Sequence, residues 1–398
     1  MEDNLVIVVP YYKETLNELE KISISQMLKV LPNYKKCFLM PEHITKVDFE
    51  ADTSCEIKKC PDKCFANVIS YSKWLLSAEF YKAFSSYEYM LIHQLDVFIF
   101  KDDLSEFCSL GYDYIGAPWF SSSIMYKYAK SLVGNGGLSL RNITSTIKIL
   151  ENNKKIVEEK FIPYLNIIGE DVVFSWFGTQ KQFEFRVAPV DVAKRFSLEC
   201  DFQKAYNHLN EKLPFGCHHW WNGDYGIWRE HVRAQGYVLK DEYTYTKHNE
   251  SNNIRLSEIS RYLLSRILRY GNRDRTKKIL LDSFHFDKPI SIWGLGIIGK
   301  RCLSLFDFIN IPIKYIIDRR AQKDSVENNI PVILPNSTEL KKRRQIIIIS
   351  TRVYYDEIAG DLKKLGLEEN VDFFSYSKIE RDVVFKNYEP LWKCMVSK

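Results

Sequence analysis

Several things are missing from this 398-residue sequence, and each absence narrows what it encodes. No apolar run approaches the roughly 18 residues a membrane-crossing helix needs. The N-terminus, MEDNLVIVVP, has acidic flanks and enters a strand pattern at once, so neither a membrane span nor a signal peptide is expected, and the expected location is the cytoplasm. The nine cysteines are an odd number without framework spacing. Only Cys55, Cys60 and Cys64 cluster, as a metal knuckle lacking its fourth ligand or as free thiols in a reducing compartment. A net charge of +5 is too small for the usual nucleic-acid binder. Internal repeats and low-complexity segments are absent too.

What is present suits a large soluble α/β protein. Hydrophobic residues make up 45% of the chain, enough for a sizeable core, and the length favours two domains. Leu5 to Val9 reads as a buried strand closed by Pro10, with a helix over about 16–31, the opening of a doubly wound sheet. Lys36 to Met40 is the next strand, and Phe65 to Phe84 has the spacing of one long helix. The stretch 87–100, SYEYMLIHQLDVFIF in context, is a strand pair that delivers the carboxylate of Asp96 to a strand end, where open α/β sheets hold their ligands. Gly134, Gly136 and Gly137 then let the backbone pass close to something bulky, with Arg141 supplying a cation. The segment between Trp119 and Val133 reads as a lid or as a helix supporting that glycine wall. A polar helix should run from Arg141 to about Lys160. Glu170 and Asp171 stand at a predicted helix start, as cap or as catalytic pair, Val187 to Val190 reads as a late strand, and His218 lies among aromatics.

The order QLD, GYDYIGAPW, VGNGGLSLR, GED and PFGCHHW resembles GT-A-type glycosyltransferases of bacterial surface-polysaccharide synthesis, and more narrowly a set of uncharacterised glycosyltransferase domains with this signature, over roughly 5–237. The resemblance implies a GT-A-like nucleotide-sugar-binding domain with a mixed, mainly parallel sheet over 1–250. It implies transfer of a sugar from a nucleotide donor, UDP-linked above all, to a glycan or polyprenyl-linked glycan. Asp96 and His218 would hold Mn²⁺ or Mg²⁺, and Asp171 or Glu170 would be the general base. Tyr11, Gln94, Asn135, Gly136, Gly137 and Arg141 would bind the donor, Tyr11 as a contact to the base unless it caps the sheet edge. One departure stands out: the triplet is Gln94-Leu95-Asp96 where many such enzymes have Asp-x-Asp.

Residues 251–288 read as a basic amphipathic helical linker. Leu256, Ile259, Leu263, Leu264 and Ile267 share one arc of 256–270, and Arg255, Arg261, Arg266 and Arg269 the other. From Arg255 to Lys278 eight basic residues face two acidic ones, so the segment is expected either to touch anionic membrane at the inner face or to pack between domains. Over 289–398 a smaller Rossmann-like α/β domain is expected, about half of a dinucleotide fold. Gly294, Gly296 and Gly299 form the turn after a strand and Asp318 ends the next strand, together a seat for NAD(P) or another nucleotide. The competing readings are an NAD(P)-dependent sugar-modifying oxidoreductase and a non-catalytic glycan-binding protein.

Overall fold

A computed structural model describes residues 4–49, 55–119, 133–199, 212–221, 225–239, 256–322, 325–336 and 344–396. The chain divides into two compact units, 1–254 with 391–398, and 255–390. Both are α/β with mixed, mostly parallel sheets.

In the first unit the strands are β1 (Leu5–Pro10), β2 (Lys35–Pro41), β3 (Cys55–Cys60), β4 (Tyr89–His93), β5 (Val97–Ile99), β6 (Tyr114–Pro118), β7 (Val133–Asn142), β8 (Ser197–Leu198) and β9 (Gly216–His218). The main sheet runs β3-β2-β1-β4-β7-β6, with β3, β2, β1 and β4 parallel and β7 antiparallel to both of its neighbours. β1 is apolar at nearly every position and wholly buried, as a strand covered on both faces must be. The following helix α1 (Glu18–Val30) begins at Asn17 through a reciprocal cap, the Asn17 carboxamide receiving the Glu20 N–H while the Glu20 carboxylate receives the Asn17 N–H. β1 has its sequence-adjacent partner β2 on one side and β4 on the other. This is the topological switch point, where the connections diverge and open a crevice beyond the strand tips.

The expected helix over Phe65 to Phe84 is two helices, α2 (Val68–Leu75) and α3 (Ala78–Lys82), because the backbone turns at Leu76 and Ser77 and a new helix starts there. The helix after Arg141 is likewise split at Asn153. Val187 makes only an isolated bridge to Tyr114, and Pro189 caps a helix from Val190, so no late strand forms over 187–190. Glu170 opens the helix α4 (Glu170–Thr179). A small second sheet, β5-β9-β8, pairs β9 antiparallel to β5 and sets Val97 opposite His218. Cys55 and Cys60 stand at the two ends of β3, and all eight cysteines among the described residues are free. Residues 120–132, the expected lid, lie outside the described residues.

The second unit opens with α5 (Leu256–Tyr270), whose Leu263, Leu264 and Ile267 are buried. That part of the expected apolar arc is therefore covered by protein, and the helix belongs to the second unit. β10 (Ile290–Trp293) leads through a glycine turn into α6 (Ile297–Phe308), followed by β11 (Ile313–Ile317), β12 (Val326–Glu327), β13 (Ile330–Ile333), β14 (Ile346–Ile349) and β15 (Phe373–Ser375). The sheet order is β12-β13-β11-β10-β14-β15, with five parallel strands and only β12 antiparallel. The unit is thus fuller than the half-fold expected from sequence, because β13 and β15 add to β10, β11 and the apolar run Ile346 to Ile349 that reads as a strand. Among the described residues no helix is long and apolar enough to cross a membrane.

Candidate functional site

Beyond the tips of β1 and β4 the first unit gathers a set of acidic and imidazole side chains. The Gln94-Leu95-Asp96 turn between β4 and β5 is fixed by the Gln94 N–H donating to the Gly137 carbonyl at 3.0 Å. Because β9 runs back along β5, His218 arrives beside this turn: its Nε2 lies 3.0 Å from Asp96 Oδ1 and 3.2 Å from Gln94 Oε1. The other ring nitrogen, Nδ1, is 3.2 Å from Glu199 Oε1. His219, held at a positive φ of 59°, turns its Nδ1 to Asp96 Oδ2 at 3.1 Å. Burial opposes charge on both Asp96 and His218, but each outweighs it for the other. The two imidazoles hold the Asp96 carboxyl well below the usual carboxylate range, and Asp96 with Glu199 raises His218 well above an ordinary imidazole.

The glycines have a different role from the one expected. A Cβ on Gly137 would overlap the His218 ring, and one on Gly136 would meet Glu170 Oε1 at 2.8 Å and Asp171 Cβ at 3.2 Å. The bulky neighbours that require these glycines are the site's own side chains, so the wall positions the imidazole and the acidic pair. Asn135 secures the bend by accepting the Gly137 N–H at 3.0 Å.

Glu170 and Asp171, adjacent in sequence, have unlike surroundings. Glu170 is buried and ion-paired at 3.0 Å with Arg141, whose remaining groups donate to Tyr81 Oη at 2.7 Å and Ser139 Oγ at 3.0 Å. Arg141 is fully buried, against the rings of Tyr114 and Phe174, so neither it nor Glu170 is presented to a ligand. Both expectations are corrected: the pair is a structural tie between β7 and α4. Asp171 is half-buried and accepts the Gly136 N–H at 3.2 Å and the Val172 N–H at 2.8 Å. Burial, then the neighbouring Glu170 charge, push its carboxyl up to about 7, the range of a general base working near neutrality.

Tyr11 is corrected as well. It is completely buried against Phe38 and Phe49, and its hydroxyl accepts the Asp48 N–H at 2.8 Å, so it braces the loop at Asp48. The next residue, Tyr12, is the exposed aromatic at this tip, stacked with Phe65 and close enough to Asp96 to feel its charge. Sequence reasoning missed Tyr12, His219 and Glu199. For Glu199 the one available signal was an acidic residue directly after the short apolar stretch Phe196 to Leu198.

Among the described residues no three His, Cys, Asp or Glu side chains form a ready-made metal-ligand cluster. The chemistry of the set nonetheless fits a divalent cation. Asp96 offers oxygen and His218 Nε2 offers nitrogen to the same spot, while Glu199 on Nδ1 would fix the tautomer that leaves Nε2 free, the usual arrangement behind a metal-bound histidine.

The fully buried His93, on the same strand as this turn, is pushed down to about 4 by burial and is neutral. In the second unit, Gly294, Gly296, Gly299 and Asp318 do converge, at the tips of β10 and β11. A family model described as "Protein of unknown function (DUF5672)" matches residues 54–218, less than half of the chain, from the edge of β3 to His218. The chain is similar to that family over the span that carries Asp96, Asp171, Glu199 and His218. No curated protein matches the chain.

Proposed function

We propose that the first unit is a GT-A-like glycosyltransferase that moves a sugar from a nucleotide donor to a hydroxyl of a glycan or lipid-linked glycan. The observation that carries this reading is the meeting of Asp96, His218 and Glu199 at the switch point of the sheet, with Asp171 bound to the adjoining glycine strand. A nucleotide diphosphate leaving group needs its negative charge offset, and a divalent cation held by Asp96 and His218 would supply that neutralisation. The chain's own residues do the rest. Tyr12 offers an aromatic face at the tip of β1 for the base. Gly137 packs on the His218 ring and keeps it turned toward Asp96.

Transfer breaks the bond between the anomeric carbon and the diphosphate oxygen and forms one to the acceptor oxygen. The acceptor proton passes to the Asp171 carboxylate, which the Gly136 N–H holds in place. Glu170 keeps that carboxylate poised by its charge and leaves the chemistry to its neighbour. Expected bacterial surface-polysaccharide acceptors agree with the motif order in the sequence.

The test is product analysis by mass spectrometry, with a panel of nucleotide sugars, Mn²⁺ and lipid-linked glycan acceptors. Transfer or donor hydrolysis by the native protein, lost in Asp96→Asn with an unchanged circular dichroism spectrum, is the expected result. Equal turnover by Asp96→Asn, or no UDP binding by calorimetry in the presence of Mn²⁺, would sink it.

A further inference from the structure

The second unit holds a cleft of about 790 Å³ that the transferase reading does not use. It lies where β10 and β14 end and the connections diverge to opposite sides of β10, the second switch point of the molecule. Its floor is the turn Gly294-Leu295-Gly296. Gly294 has a φ of +103°, and its N–H is tied to the Ile317 carbonyl at 2.8 Å. The Ser350 hydroxyl donates to the Gly294 carbonyl at 2.7 Å and locks the turn from the β14 side. A Cβ on Gly299 would run into the Gly294 carbonyl, so that glycine allows α6 to sit close against the strand. A Cβ on Gly296 would meet nothing within 4 Å. Bare backbone at the start of a 12-residue helix thus borders open space, the arrangement that admits a diphosphate. Exposed apolar side chains, Ile297, Val353 and Tyr354, line the same cleft and offer faces to a base.

The charge around this cleft narrows the ligand further. Arg261, Arg301, Arg319, Arg320 and Arg352 line it, against a single carboxylate, Asp318, among the described residues. Asp318 ends β11, where a carboxylate ordinarily accepts the ribose hydroxyls of a dinucleotide. Here its oxygens are already taken. Oδ1 accepts the Arg320 N–H at 2.9 Å and Nε at 3.1 Å, and Oδ2 accepts the Leu295 N–H at 3.0 Å and Arg320 Nη2 at 3.3 Å. A ribose with both hydroxyls free would find its acceptor occupied and a guanidinium in the way. A ribose carrying a phosphate would find that guanidinium as its counter-charge, with Arg319 beside it, exposed and ion-paired with the likewise exposed Glu357.

We propose that this cleft binds a 2′-phosphorylated adenine dinucleotide, NADP in preference to NAD, with the diphosphate at the Gly294 to Gly296 turn and the 2′-phosphate at Arg319 and Arg320. The site is independent of the transferase site, and its test reads binding alone.

Calorimetric titration of the full-length protein with NADP and with NAD should show NADP tighter by about tenfold or more, the worth of one or two charge-assisted contacts. Arg320→Gln removes the 2′-phosphate contact and at the same time frees Asp318. It should weaken NADP while leaving NAD unchanged or tighter, a crossing that general damage to the fold would not produce. Gly296→Val, at a position where a Cβ meets nothing within 4 Å, should keep the melting temperature of the unliganded protein and lose NADP binding. The proposal is overturned if NADP does not saturate, if NAD binds as tightly as NADP, or if Gly296→Val binds NADP as the native protein does.

Discussion

Two parallel sheets in one chain each open a crevice at a switch point, and they equip it in opposite ways. At the tips of β1 and β4 the first unit presents a carboxylate with imidazoles. At the tips of β10, β11 and β14 the second unit presents bare glycine backbone and arginines. On the proposed readings, the first arrangement would meet a diphosphate only through a recruited cation, and the second would need none. The fate of arginine sharpens the contrast. Arg141 is sealed in the first unit by Glu170, Tyr81 and Ser139, whereas Arg320, held by Asp318 alone among the described residues, keeps 77% of its side chain exposed. The same fold geometry therefore supports either chemistry, and the decision lies in a few side chains at the loops.

The largest effect is expected at Asp171. Asp171→Asn should lower turnover about 10²- to 10⁴-fold with donor affinity little changed, as for loss of a general base, and single-turnover kinetics would check it. Native turnover should rise with pH through about 7 as the Asp171 carboxyl ionises, and a flat profile would remove it from that role. Its folded pKa lies above the ordinary carboxyl value. The stability it contributes is therefore complete in acid and is lost as pH rises through about 7, which pH-dependent denaturation would register as a slope absent from Asp171→Asn.

Next comes Arg141→Ala, which strands the Glu170 carboxylate in the interior and should cost about 3–5 kcal/mol by urea denaturation. A stable Arg141→Ala protein with weakened donor binding would erase the contrast drawn above and return that arginine to the ligand. Glu199→Gln should lower Mn²⁺ affinity by about 10–100-fold while the fold persists, since it removes the partner that sets the His218 tautomer. Unaltered affinity would leave Glu199 a bystander. The smallest effect is that of Arg320→Gln on stability, expected to leave the melting temperature nearly unchanged because the Asp318 pair is open to solvent on the arginine side. A larger loss would make it a structural pair like that of Arg141.

What the sequence made legible follows the physics of burial. β1 and β14 are buried apolar runs and β10 nearly so, and the glycine turn after β10 could be placed at once. β3, with the sequence CEIKKC, lies at a sheet edge with its lysines and glutamate in reach of water, so it gives no apolar signal. β13, IPVI, is interrupted by a proline and half-exposed, and β15 has only three residues, so neither stands out as a strand in the sequence. Asp96, Asp171 and His218 could be named because motif order grouped them. Which of Glu170 and Asp171 is locked in an ion pair could not, since it depends on Arg141 reaching across from β7. Tyr11 and Tyr12 are alike as residue types, and only the alternation of sides along the chain decides which one is buried.

The small β5-β9-β8 sheet sets an order of assembly. Asp96 lies at its first strand and His218 at its last, so the pair exists only after more than a hundred intervening residues have been laid down and folded back. During synthesis the chain would expose Asp96 and Asp171 long before the histidine emerges. Such a distant closure is among the slower events in building a domain. Acquisition of the proposed cation affinity should accordingly lag the burial of β1 and β4 in refolding and mark the closure of the small sheet.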